Sequence, residues 1–242
     1  MAYFGFQLYV ALPPPPEIQT RLFQIATRPR PIHRETGVLV PEALSPIPGS
    51  RLFTTEDRRR VLELGAGWGE FCASWCQQHP EDEYVAFEIK GDRIRRLLGH
   101  LRRAEIPGVT IIPINFNWFL EAILPTRAFD LIIINFPDPW PKKKHWKHRL
   151  IDADFPERML SLLRPGGRIY AATDHGPYAR RILQSFRRHP GYRPVYDWPH
   201  YVRLRPDGFP GTRFESMHLA QGLRPYYQFW EARDGEQEHD TA

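Results

Sequence analysis

The sequence predicts an α/β protein built on a mostly parallel, doubly wound sheet. Three observations carry this: from Arg60 onward short apolar runs alternate with longer amphipathic stretches, a glycine turn follows the first run, and the runs are near-continuous in apolar character. A strand covered by helices on both faces reads as an unbroken apolar segment, whereas a strand with one wet face alternates. Strand and helix patterns repeating in this order are the mark of parallel crossover units.

Residues 1–58 come first, rich in proline (Pro13 to Pro16, Pro29, Pro31, Pro41, Pro46, Pro48) and without a sustained period. They predict an N-terminal arm with little regular structure. Residues 59–232 form the predicted domain, with strands at 61–64, 84–87, 109–114, 129–134 and 168–172 and helices at 70–78, 92–104, 118–123, 154–163 and 178–188. Arg164-Pro165-Gly166-Gly167 predicts a helix stop and turn. Residues 192–232 carry strand-like aromatic runs without a strong helical pattern, and are expected to close the sheet at one edge. The acidic residues 233–242 are expected to be a disordered tail.

Across 242 residues, 42% hydrophobic and 25% charged side chains describe an ordinary globular chain with enough apolar material for one sizeable core. No stretch reaches the roughly 18 apolar residues of a membrane span, and the apolar start lacks the basic flank of a signal peptide. A cytoplasmic protein is expected. Cys72 and Cys76, the only cysteines, stand four apart on a predicted helix. They can make neither an unstrained disulfide nor a complete zinc site, and they read as buried small apolar side chains. The net charge of +5 is locally concentrated: residues 142–149 hold five Lys or Arg and two His.

Val61-Leu62-Glu63-Leu64-Gly65-Ala66-Gly67-Trp68-Gly69-Glu70 is a strand, a glycine turn and the start of a helix. Gly65, Gly67 and Gly69 would let the backbone pass close to a ligand at the strand's carboxyl end, where open α/β sheets bind. Glu70 occupies the place where a dinucleotide fingerprint has another glycine, so the spacing favours S-adenosylmethionine over NAD. Glu88 ends the next strand 19 residues after Gly69, where a carboxylate can accept from ribose hydroxyls. Asn115 after the third strand could bond an adenine edge or cap the next helix. Glu63 reads either as part of this site or as a buried acid held by its neighbours.

Asn135-Phe136-Pro137-Asp138-Pro139-Trp140-Pro141 follows the fourth strand. Prolines on both sides of Asp138 fix its backbone and forbid a helix, so the carboxylate would be held rigidly beside the cofactor. A methyl acceptor that already has a lone pair and no proton to lose needs alignment and charge stabilisation rather than a strong base, and a rigidly held carboxylate can supply both. The basic run downstream is expected to meet phosphates, with Trp140 and Trp146 able to stack on bases. His145 and His148 lack the companions of a metal site, and no metal is expected.

The Asn135 to Trp140 segment with its basic continuation strongly resembles the signature of the bacterial tRNA (guanine-N7-)-methyltransferase family. The likeness runs from about Val61 to Glu215 and takes in Ala172-Thr173-Asp174-His175-Gly176-Pro177-Tyr178-Ala179 and Gly211-Thr212-Arg213-Phe214-Glu215. It implies the Rossmann-like class I S-adenosylmethionine-dependent methyltransferase fold and methylation of guanine 46 in the tRNA variable loop. Carried over residue by residue, it implies cofactor contacts at Glu63, Glu88, Asn115 and Asp138, with Asp138 also catalytic. Substrate contacts fall on Lys142, Asp174, Thr212, Arg213, Phe214 and Glu215, and an RNA-interacting stretch on Lys144, His145, Trp146, Lys147, His148 and Arg149. After Glu215 the family's R-G-x-R-L-G-H continuation is replaced by Ser216-Met217-His218-Leu219-Ala220. A methyltransferase of the same fold acting on another base or a small molecule, and a non-catalytic RNA-binding subunit, are the competing readings. Monomer and homodimer stay equally open.

Overall fold

A computed structural model describes residues 2–3, 6–7, 14–140, 142, 144–145 and 149–233. In chain order the elements are β1 (Ala2–Tyr3), β2 (Phe6–Gln7), α1 (Pro16–Ala26), α2 (Gly49–Leu52), β3 (Arg60–Leu64), α3 (Glu70–Gln78), β4 (Glu83–Phe87), α4 (Gly91–Arg103), β5 (Val109–Ile112) and α5 (Phe116–Ile123). They continue with β6 (Phe129–Asn135), α6 (Phe155–Leu160), β7 (Leu163–Thr173), α7 (Gly176–Arg187), β8 (Tyr192–Pro194), α8 (Arg213–Ala220) and β9 (Tyr226–Ala232).

Seven strands form one sheet in the order β5-β4-β3-β6-β7-β9-β8. The first five run parallel, β9 is antiparallel to β7, and β8 is antiparallel to β9. Chain order from β3 goes outward both ways, to β4 and β5 on one side and then to β6 and β7 on the other. That reversal leaves a crevice at the carboxyl ends of β3 and β6, the position at which open α/β sheets bind ligands.

Alternation along each strand feeds two cores. Leu62, Leu64, Val85, Phe87, Ile132 and Ile134 face one cluster with α1, α5, α6 and α7, while Val61, Tyr84, Ala86, Leu131 and Ile133 face a second with α3 and α4. Burying each such aliphatic side chain contributes about 1.5–3 kcal/mol. Helices therefore cover both faces, which is why the strands read as continuous apolar runs. Cys72 and Cys76 are free and buried in the second cluster, as the sequence predicts.

Four expectations need correction. The N-terminal arm is structured: α1 spans 11 residues with proline at its first turn, buries Leu22 and Phe23, and sets Phe23 edge-on to Phe119 at 5.4 Å. Proline suits the first helical turn because no intrahelical N–H is needed there. The rest of the arm is stitched to the domain, Leu39 N–H donating to the Ile111 carbonyl at 2.8 Å, Ile47 N–H to Ile123 at 2.8 Å and Arg30 Nη2 to Pro113 at 2.7 Å.

The helix predicted to reach 163 stops at Leu160, because Leu162 already accepts from the N–H groups of Ala128 and Phe129. Arg164 to Gly167 is a bulge within β7, between the pairs Phe129 with Leu163 and Leu131 with Arg168. The region 192–232 closes the sheet edge as expected but also contains α8, which has little amphipathic pattern and is fixed by its N-cap. The expected acidic tail lies outside the described residues from 234 onward.

Candidate active site

The glycine turn is held open by its own backbone. Gly65, Gly67 and Gly69 have φ of +83°, +62° and +84°, the left-handed region that side chains disfavour. A Cβ on Gly69 would lie 2.4 Å from Leu97 Cγ, so only glycine lets α3 start this close to α4. At Gly65 and Gly67 an added Cβ would meet nothing nearer than 4.0 Å. That open cradle suits a ligand resting on the turn.

Gly65 and Ala66 donate their N–H groups to the Phe87 carbonyl at 3.0 and 2.9 Å, which ties the turn to the end of β4. Glu88 completes the tie, its Oε2 accepting from Gly67 N–H at 3.0 Å and its Oε1 from Ile89 and Lys90 N–H at 2.8 and 2.9 Å. Arg93 stands 3.5 Å from the same carboxylate. An ionised carboxylate offers about four acceptor sites, so capacity remains for a ribose hydroxyl.

Glu63 lies inside β3 beneath the turn and is fully buried. It accepts from the Tyr84 hydroxyl at 2.9 Å and from Asn135 Nδ2 at 3.3 Å. Burial raises its pKa to about 7 against the lowering effect of these two bonds. Asn135 Oδ1 is buried and has no hydrogen-bond partner among the described residues. An unpaired amide oxygen at the end of β6, beside the open cradle, fits a bound donor such as an amino group. Asn115 caps α5, its Oδ1 accepting from Asn117 N–H at 3.1 Å.

Asp138 is exposed in the loop after β6. Phe136 and Trp140 on either side have φ of +48° and +40°, a costly conformation for bulky side chains that persists only when the surroundings impose it. They do: Phe136 N–H donates to the Ala172 carbonyl of β7 at 2.8 Å, and Arg149 Nε donates to the Pro139 carbonyl at 2.7 Å. Arg149 Nη2 reaches the Trp140 carbonyl at 3.4 Å, and its guanidinium lies 5.1 Å from the Tyr178 ring centre. Arg149 is only 6% exposed. The residue expected at the end of an RNA-contacting run therefore works inside the protein.

Lys142 and Lys144 are exposed, His145 is half-buried 5.7 Å from the Trp140 ring, and Trp146, Lys147 and His148 lie outside the described residues. Asp174 follows β7, its carboxylate 3.3 Å from His218 Nε2 of α8. It does not cap α7, a task taken by His175 through Nδ1. The structure thus brings the glycine turn, Glu88, Asn115, Asp138 and Asp174 to the carboxyl ends of the five parallel strands.

The segment Thr212 to Glu215 opens α8 with a capping box. Thr212 Oγ1 accepts from Glu215 N–H at 2.9 Å and Glu215 Oε2 from Thr212 N–H at 3.2 Å. Glu215 is buried, with Tyr227 donating at 2.6 Å and Arg205 at 3.2 Å. Burial and the Glu215 carboxylate raise the Tyr227 pKa, so its hydroxyl stays a donor. Arg213 lies 4.4 Å from the Trp68 ring centre, and exposed Phe214 stacks on Phe136 at 6.4 Å. Sequence reasoning gave no role to Trp68, Phe136 or His218; their partners lie too far along the chain for any local pattern to show.

Comparison with known proteins agrees with this arrangement. Residues 57–216 match the model of a family described as "Putative methyltransferase". The chain is 39% identical over 178 residues to a tRNA (guanine-N(7)-)-methyltransferase of Leptospira interrogans, covering 73% of this chain and 80% of the relative. It is 36% identical over 162 residues to one of Nitrosomonas europaea, covering 67% and 71%. A solved methyltransferase from Pyrococcus furiosus shares the fold at 15% identity, with a TM-score of 0.52 over 77% of this chain and 82% of that one. Among the described residues no helix is long and apolar enough to cross a membrane, and no group of His, Cys, Asp or Glu could hold a metal ion.

Proposed function

The chain belongs to the tRNA (guanine-N7-)-methyltransferase family and methylates N7 of a guanine in tRNA with S-adenosylmethionine; from that premise we propose that the target is guanine 46 of the variable loop and that Asp138 is the catalytic residue. The observation that carries this reading is the rigid loop bearing Asp138 at the end of β6, next to the glycine turn of β3.

S-adenosylmethionine, when bound, supplies an electrophilic methyl group on a sulfonium. Gly65 and Gly67 cradle it, Glu88 accepts from its ribose, Asn135 and Asn115 offer polar contacts, and Glu63 supports the turn from below. Asp138 accepts from the N1 and amino hydrogens of guanine, which selects the base and aims N7 at the methyl. The same carboxylate stabilises the positive charge the ring acquires. Holding both reactants in line contributes roughly 7–11 kcal/mol of barrier reduction. No residue has to remove a proton before attack.

Lys142, Lys144 and the rest of the run 144–148 hold phosphates, while Asp174 and the segment from Thr212 to Glu215 shape the base pocket. The organisation is that of a methyltransferase domain at 59–232 acting in the cytoplasm, with the arm 1–58 as its N-terminal buttress. The test is to treat unmodified tRNA with the purified protein and methyl-labelled cofactor and to map the product. Label at N7 of guanine 46 is expected. Label on another nucleotide or base atom would overturn the assignment of the target.

A further inference from the structure

We propose that the arginine face of α4, joined to α8 across Trp68, is a second RNA-contacting surface that grips the sugar-phosphate backbone of the tRNA away from the methylated nucleotide. The proposal rests on the tRNA methyltransferase reading. Within its 13 residues α4 carries Arg93, Arg95, Arg96, Arg102 and Arg103 together with His100, against the single acid Asp92. Ile94, Leu97, Leu98 and Leu101 form its buried stripe, and Arg95, Arg96, Arg102 and Arg103 are exposed.

Ion pairing accounts for two of these arginines. Arg93 lies 3.5 Å from Glu88 and Arg102 lies 3.6 Å from Glu35. Arg95, Arg96 and Arg103 have no carboxylate partner among the described residues. The helix dipole does not explain Arg95 and Arg96, which stand near the amino end where it disfavours cations, whereas Arg103 lies in the favourable last turn, 3.1 Å from His100 Nδ1. A polyanion laid on this face offsets that dipole term.

Location strengthens the case. The guanidinium carbons of Arg96 and Arg213 each lie 4.4 Å from the centre of the Trp68 ring, so the glycine turn, α4 and α8 meet at one indole. Two cations held at one aromatic ring, at the rim of the crevice, make the basic face of α4 continuous with the entrance to the active site. An RNA fits the α4 part of this surface better than a protein partner does, since the exposed large apolar side chains found among the described residues lie elsewhere, Phe214, Met217 and Leu219 on α8 among them. Arginine forks also match phosphate geometry.

The experiment replaces Arg95, Arg96 and Arg103 together, with Ala in one full-length variant and Lys in another, and titrates unmodified tRNA transcript across a salt series. In the alanine variant tRNA affinity is expected to fall about tenfold at low salt, and the slope of log affinity against log salt to flatten by about two to three. The lysine variant restores most of both, and S-adenosylhomocysteine affinity stays at the parent value in each. Unchanged tRNA affinity and slope in the alanine variant would overturn the proposal, as would a lysine variant as weak as the alanine one. Loss of S-adenosylhomocysteine affinity in step with tRNA affinity would also overturn it, by assigning the face to the cofactor turn. A parent protein that neither binds nor methylates tRNA would instead defeat the functional reading on which the surface depends.

Discussion

Arg149 Nε donates to the Pro139 carbonyl at 2.7 Å, one residue beyond Asp138. The guanidinium fork is thus a strut under the Asp138 loop, and its second arm reaches the Trp140 carbonyl. Lysine keeps the charge but cannot hold both carbonyls in a planar fork. Arg149→Lys is expected to lower turnover roughly 10- to 100-fold, the scale on which small displacements of a reacting group act. A carbonyl left unpaired in this half-buried loop costs at most about 1–3 kcal/mol, so the urea midpoint should drop slightly as well. Steady-state kinetics with S-adenosylmethionine and tRNA varied separately will separate this from a binding defect; turnover equal to the parent would reduce Arg149 to a packing role.

Asp138 is exposed and takes no part in either core, so its removal should leave the fold intact. Asp138→Ala is expected to lower turnover at least about 100-fold, the usual loss when a group stabilising transition-state charge is deleted. The thermal midpoint should stay within a few degrees. A variant that turns over normally would make Asp138 only a former of its proline-bounded turn.

Glu63 gives the protein a pH dependence of its own. Its folded pKa of about 7 exceeds the ordinary 4.5, because burial favours the protonated acid. Stability from this group is therefore complete below about pH 4.5 and is lost as the pH rises through 7, by roughly 3 kcal/mol in all. Glu63→Gln cannot ionise, so its urea midpoint should hold between pH 5 and pH 8 where the parent's falls. Parallel curves for the two proteins would mean that Glu63 is already ionised at pH 5.

Glu215 anchors α8 from below, accepting from Thr212, Arg205 and Tyr227. Loss of the cap costs about 1 kcal/mol, and the stranded Tyr227 hydroxyl adds about 1–3 kcal/mol. Glu215→Ala should therefore lower the unfolding free energy by roughly 2–4 kcal/mol, whether or not tRNA is present. If stability is untouched and only the KM for tRNA rises, Glu215 is a direct substrate contact instead.

The five parallel strands and the helices between them are legible in the sequence because each is marked by its own local pattern, from the apolar runs to the stripe of Ile94, Leu97, Leu98 and Leu101 on α4. Asp138 and the glycine turn are legible for the same reason: prolines and glycines impose their geometry on their immediate neighbours. α1 is hidden because the proline run before it reads as a breaker, although Pro16 suits a first helical turn. α8 has no apolar stripe, and only the Thr212 to Glu215 box announces it. Arg149 looks like one more cation in a basic run, since burial against Pro139 and Tyr178 is a tertiary fact. The meeting of Trp68 with Arg213, 145 positions apart, leaves no local trace.

β9, the last strand among the described residues, lies between β7 and β8 rather than at an edge. A ribosome delivers β9 after every other described element, so until then β7 exposes an unpaired edge and β8 has no sheet to join. Both cores are also unfinished, one lacking Trp230 and the other Tyr227 and Phe229. Tyr227 holds Glu215, and Glu215 holds α8 beside the glycine turn and the Asp138 loop. Without β9, therefore, both cores stay incomplete and the tie from Tyr227 to α8 is missing, and the pocket is assembled only once that strand has paired with β7.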